Sequence, residues 1–396
     1  MVNFEYLVPT KVVFGKDAEL RVGALAKEAG ASRVLVHFGG SSAKRSGLLD
    51  RVEQSLSEAG VGYVELGGVV PNPRLSLAKE GLELAKKEGV DFVLAVGGGS
   101  VIDSAKAIAY GMANDFALED LFLGREKTDK IAPLGAIVTL AGAGSETSNS
   151  AVLDIDTLEG PVLKRSYNHE CSRPIFAIMN PELTYTLSPY QTAAPGADIM
   201  MHTMERYFTQ ERDTDLTDAI AEGLLRVVKD AVVKAIHEPS NYGARANLLW
   251  AGSLSHCGLT GAGCVSDFAC HAIEHELGAL YDVAHGAGLA AIWGSWARYV
   301  IDADPERFAK FGVNVFGVAD DHENPRAVGI AGIEAWEAWC REIGMPTSLS
   351  ELGVDPTAEQ IRTMAAGAVE ARGGNHAGSF VKLREADIEA ILESAR

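Results

Sequence analysis

Two short windows of helical character carry the side chains best suited to chemistry in this sequence. GADIMMHTMERY contains Asp198 and His202, and DFACHAIEHELGALYDVAHGAG contains His271, His275 and His285. Residues four apart share one helix face, so Asp198 and His202 are predicted to point at one spot. His271 and His275 share a face for the same reason. Because imidazoles with one carboxylate suit Zn²⁺ or Fe²⁺ better than Mg²⁺ or Ca²⁺, the pattern predicts a divalent metal site.

A glycine-rich turn in the first half of the chain could hold a phosphate group. The sequence FVLAVGGGSVIDSAKAIA places Gly97 and Gly98 at the end of a buried strand and Ser100 at the start of a helix. Glycines let backbone N–H groups approach a phosphate, and a helix N-terminus supplies partial positive charge. Ser100 and Asp103 also fit a capping box, so part of this signal is expected to be ordinary helix capping.

The turn VLVHFGGSSAKRSG, after an earlier strand, bears on the choice of dinucleotide. It lacks the full G-x-G-x-x-G fingerprint but offers glycines and hydrogen-bond donors: Gly39, Gly40, Ser41, Ser42, Lys44 and Arg45. An acidic residue usually binds the ribose 2′-hydroxyl of NAD, whereas the 2′-phosphate of NADP requires donors and no acid. This turn contains no acid, which favours NADP(H). For His37, just before the turn, a core position and a position near the cofactor are both open.

Composition and charge limit the classes of protein and partner. A chain of 396 residues with 47% apolar and 22% charged residues fits a globular protein of two domains. The formal net charge of −19 disfavours nucleic acids and anionic membranes as partners. Five cysteines without a C-x-x-C pair predict neither a disulfide framework nor a cysteine zinc site. Without a signal-peptide or membrane-span pattern, we expect a cytoplasmic protein without a membrane partner.

The order of predicted elements divides the chain near residue 188. Up to about residue 180, β-branched strands alternate with amphipathic helices, which predicts a Rossmann-like, mostly parallel sheet. After residue 188 the sequence predicts long helices and hardly any strands. We therefore predict an α/β dinucleotide-binding domain over residues 1–187 and an all-α, metal-binding catalytic domain over residues 188–396. The metal candidates are expected to line the helical side of an intervening cleft.

Taken together, these motifs resemble a known family. GGGSVIDSAKAIA, AGAGSE, NPELTYTLSPYQTA, the Asp-x-x-x-His pair and HAIEHELGALYDVAHGAGLA are similar to the iron-containing, or group III, alcohol dehydrogenases. The likeness is strongest to the butanol dehydrogenase-like, NADPH-using aldehyde reductase branch. It implies a dehydroquinate synthase-like fold and a homodimer. It also implies hydride transfer between NADP(H) and a short- to medium-chain aldehyde or primary alcohol.

The resemblance also implies roles for individual residues. The implied metal ligands, for Fe²⁺ or Zn²⁺, are Asp198, His202, His271 and His285, with His275 beside them and not ligating. Because an imidazole titrates near neutral pH, His275 is our candidate for carrying a proton between the alkoxide and solvent. The implied cofactor contacts are Asn72, Gly97, Gly98, Ser100, Thr139, Leu140, Ser145, Lys164 and Leu183. Gly40 stands where NAD-preferring relatives carry Asp. Ala143 departs from the family, which has Thr at this position of the loop AGTGSE.

Three other functions remain open from the sequence. His271-Ala-Ile-Glu274-His275 matches H-x-x-E-H, in which Glu274 would be the general base of a zinc hydrolase. A lyase of the dehydroquinate synthase type would need several cations for a phosphorylated substrate, and the windows around His202 and His285 supply few, chiefly Arg206 and Arg245. A glycerol- or lactaldehyde-type polyol dehydrogenase is the third alternative.

Overall fold

A computed structural model describes residues 1–142, 144–155 and 162–396, so Ala143 lies outside the described residues. The chain forms two compact units: Leu7–Thr186, and Met1–Tyr6 together with Leu187–Arg396. The first six residues, which the sequence placed with the α/β domain, group with the helical unit. There the Val2 N–H donates to the Gly263 carbonyl at 2.9 Å, and the Tyr6 hydroxyl lies 3.3 Å from Cys257 Sγ.

The α/β unit contains a parallel sheet and a separate hairpin. Its described strands are β1 (Lys11–Phe14), β2 (Arg33–Phe38), β3 (Gly62–Leu66), β4 (Phe92–Gly97), β5 (Leu134–Val138), β6 (Ser150–Ile155), β7 (Leu163–Asn168) and β8 (Phe176–Met179). Six of them pair in parallel in the order β1-β8-β5-β4-β2-β3, whereas β6 and β7 pair antiparallel. Its helices are α1 (Val22–Glu28), α2 (Ser42–Arg45), α3 (Leu48–Glu58), α4 (Leu75–Glu88), α5 (Gly99–Ala113) and α6 (Leu118–Phe122), with short 3₁₀ turns at Ala18–Arg21, Glu170–Ser172 and Pro181–Thr184.

The sheet is buried on both faces, which explains the continuous apolar strands in the sequence. On β4, Val93 and Ala95 pack into one core cluster, while Leu94 and Val96 pack into the other. The chain leaves β2 toward β3 on one side and returns to β4 on the other. This reversal creates a topological switch point at the carboxyl ends of β2 and β4, the usual ligand position in such sheets.

The helical unit contains no strand among its described residues, as the long helical windows after residue 188 predict, although one antiparallel bridge pairs Ala377 with Leu383. Its helices are α7 (Pro189–Tyr207), α8 (Asp215–His237), α9 (Tyr242–His256), α10 (Ala269–Tyr281), α11 (His285–Val300), α12 (Pro305–Phe311), α13 (Pro325–Glu342), α14 (Leu349–Leu352), α15 (Ala358–Glu370) and α16 (Glu385–Ser394). Short 3₁₀ turns lie at Leu259–Gly261 and Ile301–Ala303, and a π-helical turn at Gly312–Phe316. The predicted fold class is confirmed. Among the described residues, no helix is both long enough and apolar enough to cross a bilayer.

The start of α7 is fixed by its local sequence. The Ser188 hydroxyl accepts the N–H of Gln191, the Gln191 side chain accepts the N–H of Ser188, and Pro189 occupies the first helical position. This capping box and proline together define where the helix begins. Because the start of α7 is fixed, so is the position of Asp198 within it, nine residues after Pro189.

The predicted capping box at the start of α5 is wrong. Helix α5 begins at Gly99 with Gly98 as its N-cap, and the partly buried Asp103 carboxylate instead accepts from the Ser145 hydroxyl and the Val152 N–H. One turn later, Lys106 donates to the carbonyls of Ser148 and Ser150 at 2.9 and 2.6 Å. Burial raises the pKa of Asp103 and lowers that of Lys106 to about 8. Asp103 therefore binds donors of the segment around Ser145 and Val152 instead of capping the start of its own helix.

The stability of the α/β unit is expected to fall in mild acid because of His37. This fully buried histidine donates from Nδ1 to the Leu66 carbonyl at 2.9 Å, and its Nε2 accepts from the Ser104 hydroxyl at 2.9 Å. Burial lowers the pKa of His37 from 6.5 to about 4. Since the unfolded chain binds this proton at a higher pH than the folded chain does, acidification favours unfolding. Between pH 6.5 and 4, about 3 kcal/mol of unfolding free energy should be lost.

Urea unfolding at several pH values, compared with the non-titrating variant His37→Gln, measures this contribution. The wild-type unfolding free energy should fall more steeply below pH 6.5 than that of the variant. Parallel pH profiles for the two proteins would contradict the assignment. The sequence left open whether His37 is a core residue or lies near the cofactor. It is a core histidine, because both of its ring nitrogens are hydrogen-bonded to neighbouring residues.

Candidate metal centre and cofactor site

Four side chains of the helical unit converge on one point. Asp198 and His202 come from α7, His271 from α10, and His285 is the first residue of α11. Asp198 Oδ1 lies 3.5, 3.9 and 3.8 Å from the Nε2 atoms of His202, His271 and His285, respectively. The four donor atoms are all within 4.8 Å of one another. Tetrahedral ligands about 2.1 Å from one ion are roughly 3.4 Å apart, so small side-chain shifts would suffice to enclose an ion.

A close helix contact holds the donors of α7 and α11 together. A Cβ atom on Gly286 would lie 1.8 Å from the Ala194 carbonyl oxygen and 3.3 Å from the Asp198 nitrogen. The backbones of α7 and α11 therefore touch beside the cluster, and only glycine permits this approach. Since Gly286 follows His285 directly, the contact sets the distance between His285 and Asp198.

Buried carboxylates lie behind two of the histidines. His271 donates from Nδ1 to Glu205, and His285 donates from Nδ1 to Glu274. A carboxylate only accepts, so each Nδ1 carries the proton and each Nε2 presents a lone pair. The His271 Nε2 atom is buried and has no hydrogen-bond partner among the described residues. An unsatisfied buried nitrogen facing an aspartate and two imidazoles fits a site that binds a cation.

His202 has different surroundings. The partly buried Arg206 lies with Nη1 3.3 Å from His202 Nδ1 and donates to the His202 carbonyl at 2.6 Å. The ring of His256 lies 3.5 Å from that of His202, centroid to centroid. Burial, followed by the neighbouring His256 and His271, lowers the pKa of His202 well below its usual value. His202 is therefore neutral near pH 7, the form that can bind a metal.

His275 lies beside the four donors. Its ring centroid is 5.7 Å from that of His285 and 6.4 Å from that of His271. A ring nitrogen of His275 lies within 4.8 Å of donor atoms of Glu274 and His285, but His275 is not one of the four residues that converge on one point. In the H-x-x-E-H reading, His271 and His275 would share the ion while Glu274 faced the substrate. Glu274 is instead fully buried and accepts from His285, which does not fit a hydrolase base.

The residues expected to contact the cofactor lie mainly at carboxyl ends of the parallel strands. Gly39 and Gly40 follow β2, Gly97 ends β4, and Gly98 is the N-cap of α5. Ser41 and Ser42 begin α2, Ser100 lies in the first turn of α5, and Thr139 and Leu140 follow β5. A Cβ atom on Gly97 would lie 2.4 Å from Val101 Cγ2, which explains the glycine there. The phosphate-binding candidates therefore cluster at the switch point.

Other cofactor candidates have partners within the α/β unit. Lys164, in β7, donates to Asn72 Oδ1 at 3.2 Å, so the structure brings these two candidates together. The Ser145 hydroxyl donates to Asp103, toward the core. Leu183 lies in the 3₁₀ turn Pro181–Thr184 and packs partly buried against the sheet.

An acid from a neighbouring strand, which the sequence reading missed, lies at the turn after β2. Glu65 of β3 forms an ion pair with Lys44 at 3.0 Å, while Arg45 donates to Ser41. The turn itself contains no acid, yet Lys44 is partly neutralised by Glu65. Because β2 and β3 are parallel neighbours, with His37 opposite Leu66, their carboxyl ends bring these residues together.

Comparison with known proteins identifies the family. The model of the iron-containing alcohol dehydrogenases matches residues 9–181, and the C-terminal model of the same family matches residues 192–396. The chain belongs to the iron-containing alcohol dehydrogenase family. This confirms the resemblance found in the sequence motifs, and with it the class of enzyme, an alcohol dehydrogenase or aldehyde reductase.

Individual members of the iron-containing alcohol dehydrogenase family match over almost the full length. NADH-dependent butanol dehydrogenase A of Clostridium acetobutylicum is 38% identical over 99% of this chain and 98% of its own. The NADPH-dependent aldehyde reductase YqhD of Escherichia coli is 33% identical over 90% of each chain. The crystal structure of NADH-dependent butanol dehydrogenase A from Thermotoga maritima superposes with a TM-score of 0.94 at 35% identity, covering 100% of this chain and 99% of that one.

Proposed function

We propose that this enzyme transfers a hydride between NADP(H) and a short- to medium-chain aldehyde or primary alcohol, with one Fe²⁺ or Zn²⁺ ion. The observation that carries the proposal is the four-donor cluster of Asp198, His202, His271 and His285. A divalent ion held there would supply Lewis acidity toward the oxygen of the carbonyl or alcohol. We also expect a homodimer, as the family resemblance implies, and analytical ultracentrifugation checks that expectation.

The side chains around the cluster would each have a separate task in the reaction. Asp198 and the three histidine Nε2 atoms would hold the ion, while Glu205 and Glu274 keep protons on Nδ1 of His271 and His285. His275, 5.7 Å from His285 between ring centroids, would carry a proton between the substrate oxygen and solvent. In the α/β unit, the backbone N–H groups at the start of α5 would bind the pyrophosphate.

Steady-state kinetics test the proposed reaction. Oxidation of NADPH and of NADH is measured with linear aldehydes of increasing length and with lactaldehyde. Reduction of NADP⁺ and of NAD⁺ is measured with glycerol for the polyol alternative. Each assay is repeated after chelation and after adding back Zn²⁺ or Fe²⁺. We expect aldehyde-dependent oxidation that disappears on chelation and returns with metal. Full activity in the chelated, metal-free protein would overturn the proposal.

The preference for NADP(H) is the finer part of the proposal, and the relatives differ on it: one is named for NADH and another for NADPH. Gly40, Ser41 and Ser42 support NADP(H) because they leave room and donors for a 2′-phosphate. The Lys44–Glu65 ion pair counts against it, since it reduces the charge available to that phosphate. Equal kcat/KM for the two cofactors would overturn the preference while leaving the reaction class unaffected.

The variant Gly40→Asp is expected to reverse any preference for NADPH. A Cβ atom on Gly40 would meet nothing within 4 Å among the described residues, so the fold should tolerate the change. The new carboxylate would repel a 2′-phosphate and could bind a ribose 2′-hydroxyl. We expect kcat/KM for NADPH to fall by at least about tenfold, with NADH unchanged or improved. Gly40→Asn, of equal size and no charge, is the control, and an equal loss in both variants would contradict the electrostatic explanation.

A further inference from the structure

The three histidines of the candidate metal centre differ in what lies behind their rings. His271 and His285 each donate from Nδ1 to a buried glutamate, Glu205 and Glu274. His202 instead has its Nδ1 3.3 Å from the guanidinium of Arg206. We propose that Glu205 and Glu274 are positioning residues that make His271 and His285 strong ligands, and that Arg206 makes His202 the weak one. This inference rests on the proposed function.

The carboxylate behind an imidazole affects its partner nitrogen in two ways. It fixes the tautomer and ring orientation, and its negative charge makes the opposite Nε2 a better electron donor. For His271 the restraint is greater, because Glu205 also accepts the backbone N–H groups of Cys270 and His271, at 2.7 and 3.4 Å. Glu205 therefore joins α7 to the first turn of α10 and places His271 relative to Asp198.

Arg206 has the opposite effect on His202. A neutral imidazole that binds a metal through Nε2 carries its proton on Nδ1, so a guanidinium N–H at 3.3 Å faces another donor. The nearby positive charge also withdraws electron density from the ring. Arg206 is held in place by its 2.6 Å bond to the His202 carbonyl and by packing over the Phe268 ring, 4.8 Å from its centroid.

The same residues set the charge around an ion. Asp198, Glu205 and Glu274 bring three carboxylates to the site, and Arg206 brings one positive charge. Three carboxylates, one guanidinium and one divalent cation together have no net formal charge. From the sequence, Asp198 was the one predicted ligand carboxylate, Glu274 was considered only as a hydrolase base, and Glu205 was missed.

Zn²⁺ binding to the metal-free protein tests the proposed order of ligand strength. Affinity is measured by competition with a chromophoric chelator, with Zn²⁺ as the only added probe. We expect His202→Ala to lose at least tenfold less affinity than His271→Ala or His285→Ala. We expect Glu205→Gln and Glu274→Gln each to bind Zn²⁺ about 10- to 100-fold more weakly than the wild type. Melting monitored by circular dichroism verifies that each variant is folded.

Glu222→Gln is the matched control. Glu222 is a buried glutamate of α8 in the same unit, and it accepts the Tyr207 hydroxyl at 2.8 Å instead of a histidine. Its replacement removes one buried carboxylate of the same size, and Zn²⁺ affinity should remain that of the wild type. Glu205 also accepts two backbone N–H groups, so Glu205→Gln can unfold the protein for a reason unrelated to the metal. If it does, the Zn²⁺ affinity of Glu274→Gln decides the result.

The outcomes separate the two proposals. Wild-type Zn²⁺ affinity in Glu274→Gln, or an equal loss in His202→Ala and His271→Ala, would overturn the ranking of ligands while leaving the metal centre intact. A wild-type protein that binds no stoichiometric Zn²⁺ would overturn the metal centre and the ranking together. The expected order, with Glu222→Gln unaffected, would support both.

Discussion

Replacing His271 with alanine is expected to abolish metal retention and turnover together. The His271 Nε2 atom is buried, lies 3.9 Å from Asp198 Oδ1, and has no hydrogen-bond partner in the described part of the chain. The substitution removes one of four donors and leaves the Glu205 carboxylate without its histidine. We expect the metal content of the purified protein to fall below a tenth of the wild-type value. Aldehyde-dependent NADPH oxidation should fall at least about 10³-fold, as charge stabilisation at the substrate oxygen is lost.

His275→Ala is the informative companion to this variant. His275 lies beside the donors and is proposed to carry a proton, so its loss should lower turnover about 10²- to 10⁴-fold while metal content stays at the wild-type level. Atomic emission spectroscopy and NADPH oxidation are measured on the same preparations. A His271→Ala protein that is active and fully loaded with metal would refute the ligand assignment. Metal loss in His275→Ala would instead place that residue among the ligands.

Adding one methyl group at Gly286 is expected to disrupt both the helical unit and its metal site. The new Cβ would lie 1.8 Å from the Ala194 carbonyl oxygen, which is backbone and cannot rotate away. Helices α7 and α11 would have to separate, moving Asp198 away from His285. We expect Gly286→Ala to lose about 3 kcal/mol or more of unfolding free energy, the upper part of the range for overpacked cores. Most of the bound metal should be lost as well.

Gly23→Ala provides a matched control in the α/β unit. A Cβ on Gly23 would lie 1.9 Å from the Ser55 carbonyl oxygen, a clash of the same size between α1 and α3. This variant should be destabilised to a similar extent but should retain its metal. Thermal melting and metal content are measured for both proteins. If Gly286→Ala retains wild-type stability and metal content, or if Gly23→Ala loses as much metal, the contact does not set the ligand spacing.

The sequence predicts the features of this protein that depend on spacing along the chain. Asp198 and His202 converge because they are four residues apart on α7, and the buried strands are evident as apolar runs. Glu205 could not be assigned from sequence because its partner, His271, is 66 residues away. Neither could His256, which contacts His202 through the packing of α9 against α7.

One wrong prediction and one missed contact have a similar physical origin. Asp103 matched a capping box by spacing, but its carboxylate accepts from Ser145 and Val152 instead. The turn after β2 contains no acid, yet parallel pairing brings Glu65 of β3 to Lys44. In both cases the partner of the side chain is distant in sequence, so the local pattern does not reveal the contact. The hairpin of β6 and β7 was not predicted, and the sequence of β7, LKRSYN, contains no apolar run that would indicate a strand.

The four metal donors come from three different helices, and this affects how much of the enzyme a cell retains. All five cysteines lie in described positions and are free, so α7, α10 and α11 gain no covalent cross-link from them. A bound ion would tie these helices together only while the chain is folded, and the resulting stabilisation grows with the logarithm of the free ion concentration. A cell starved of that metal would therefore hold fewer enzyme molecules as well as less active ones, since the unliganded chain is more exposed to proteases.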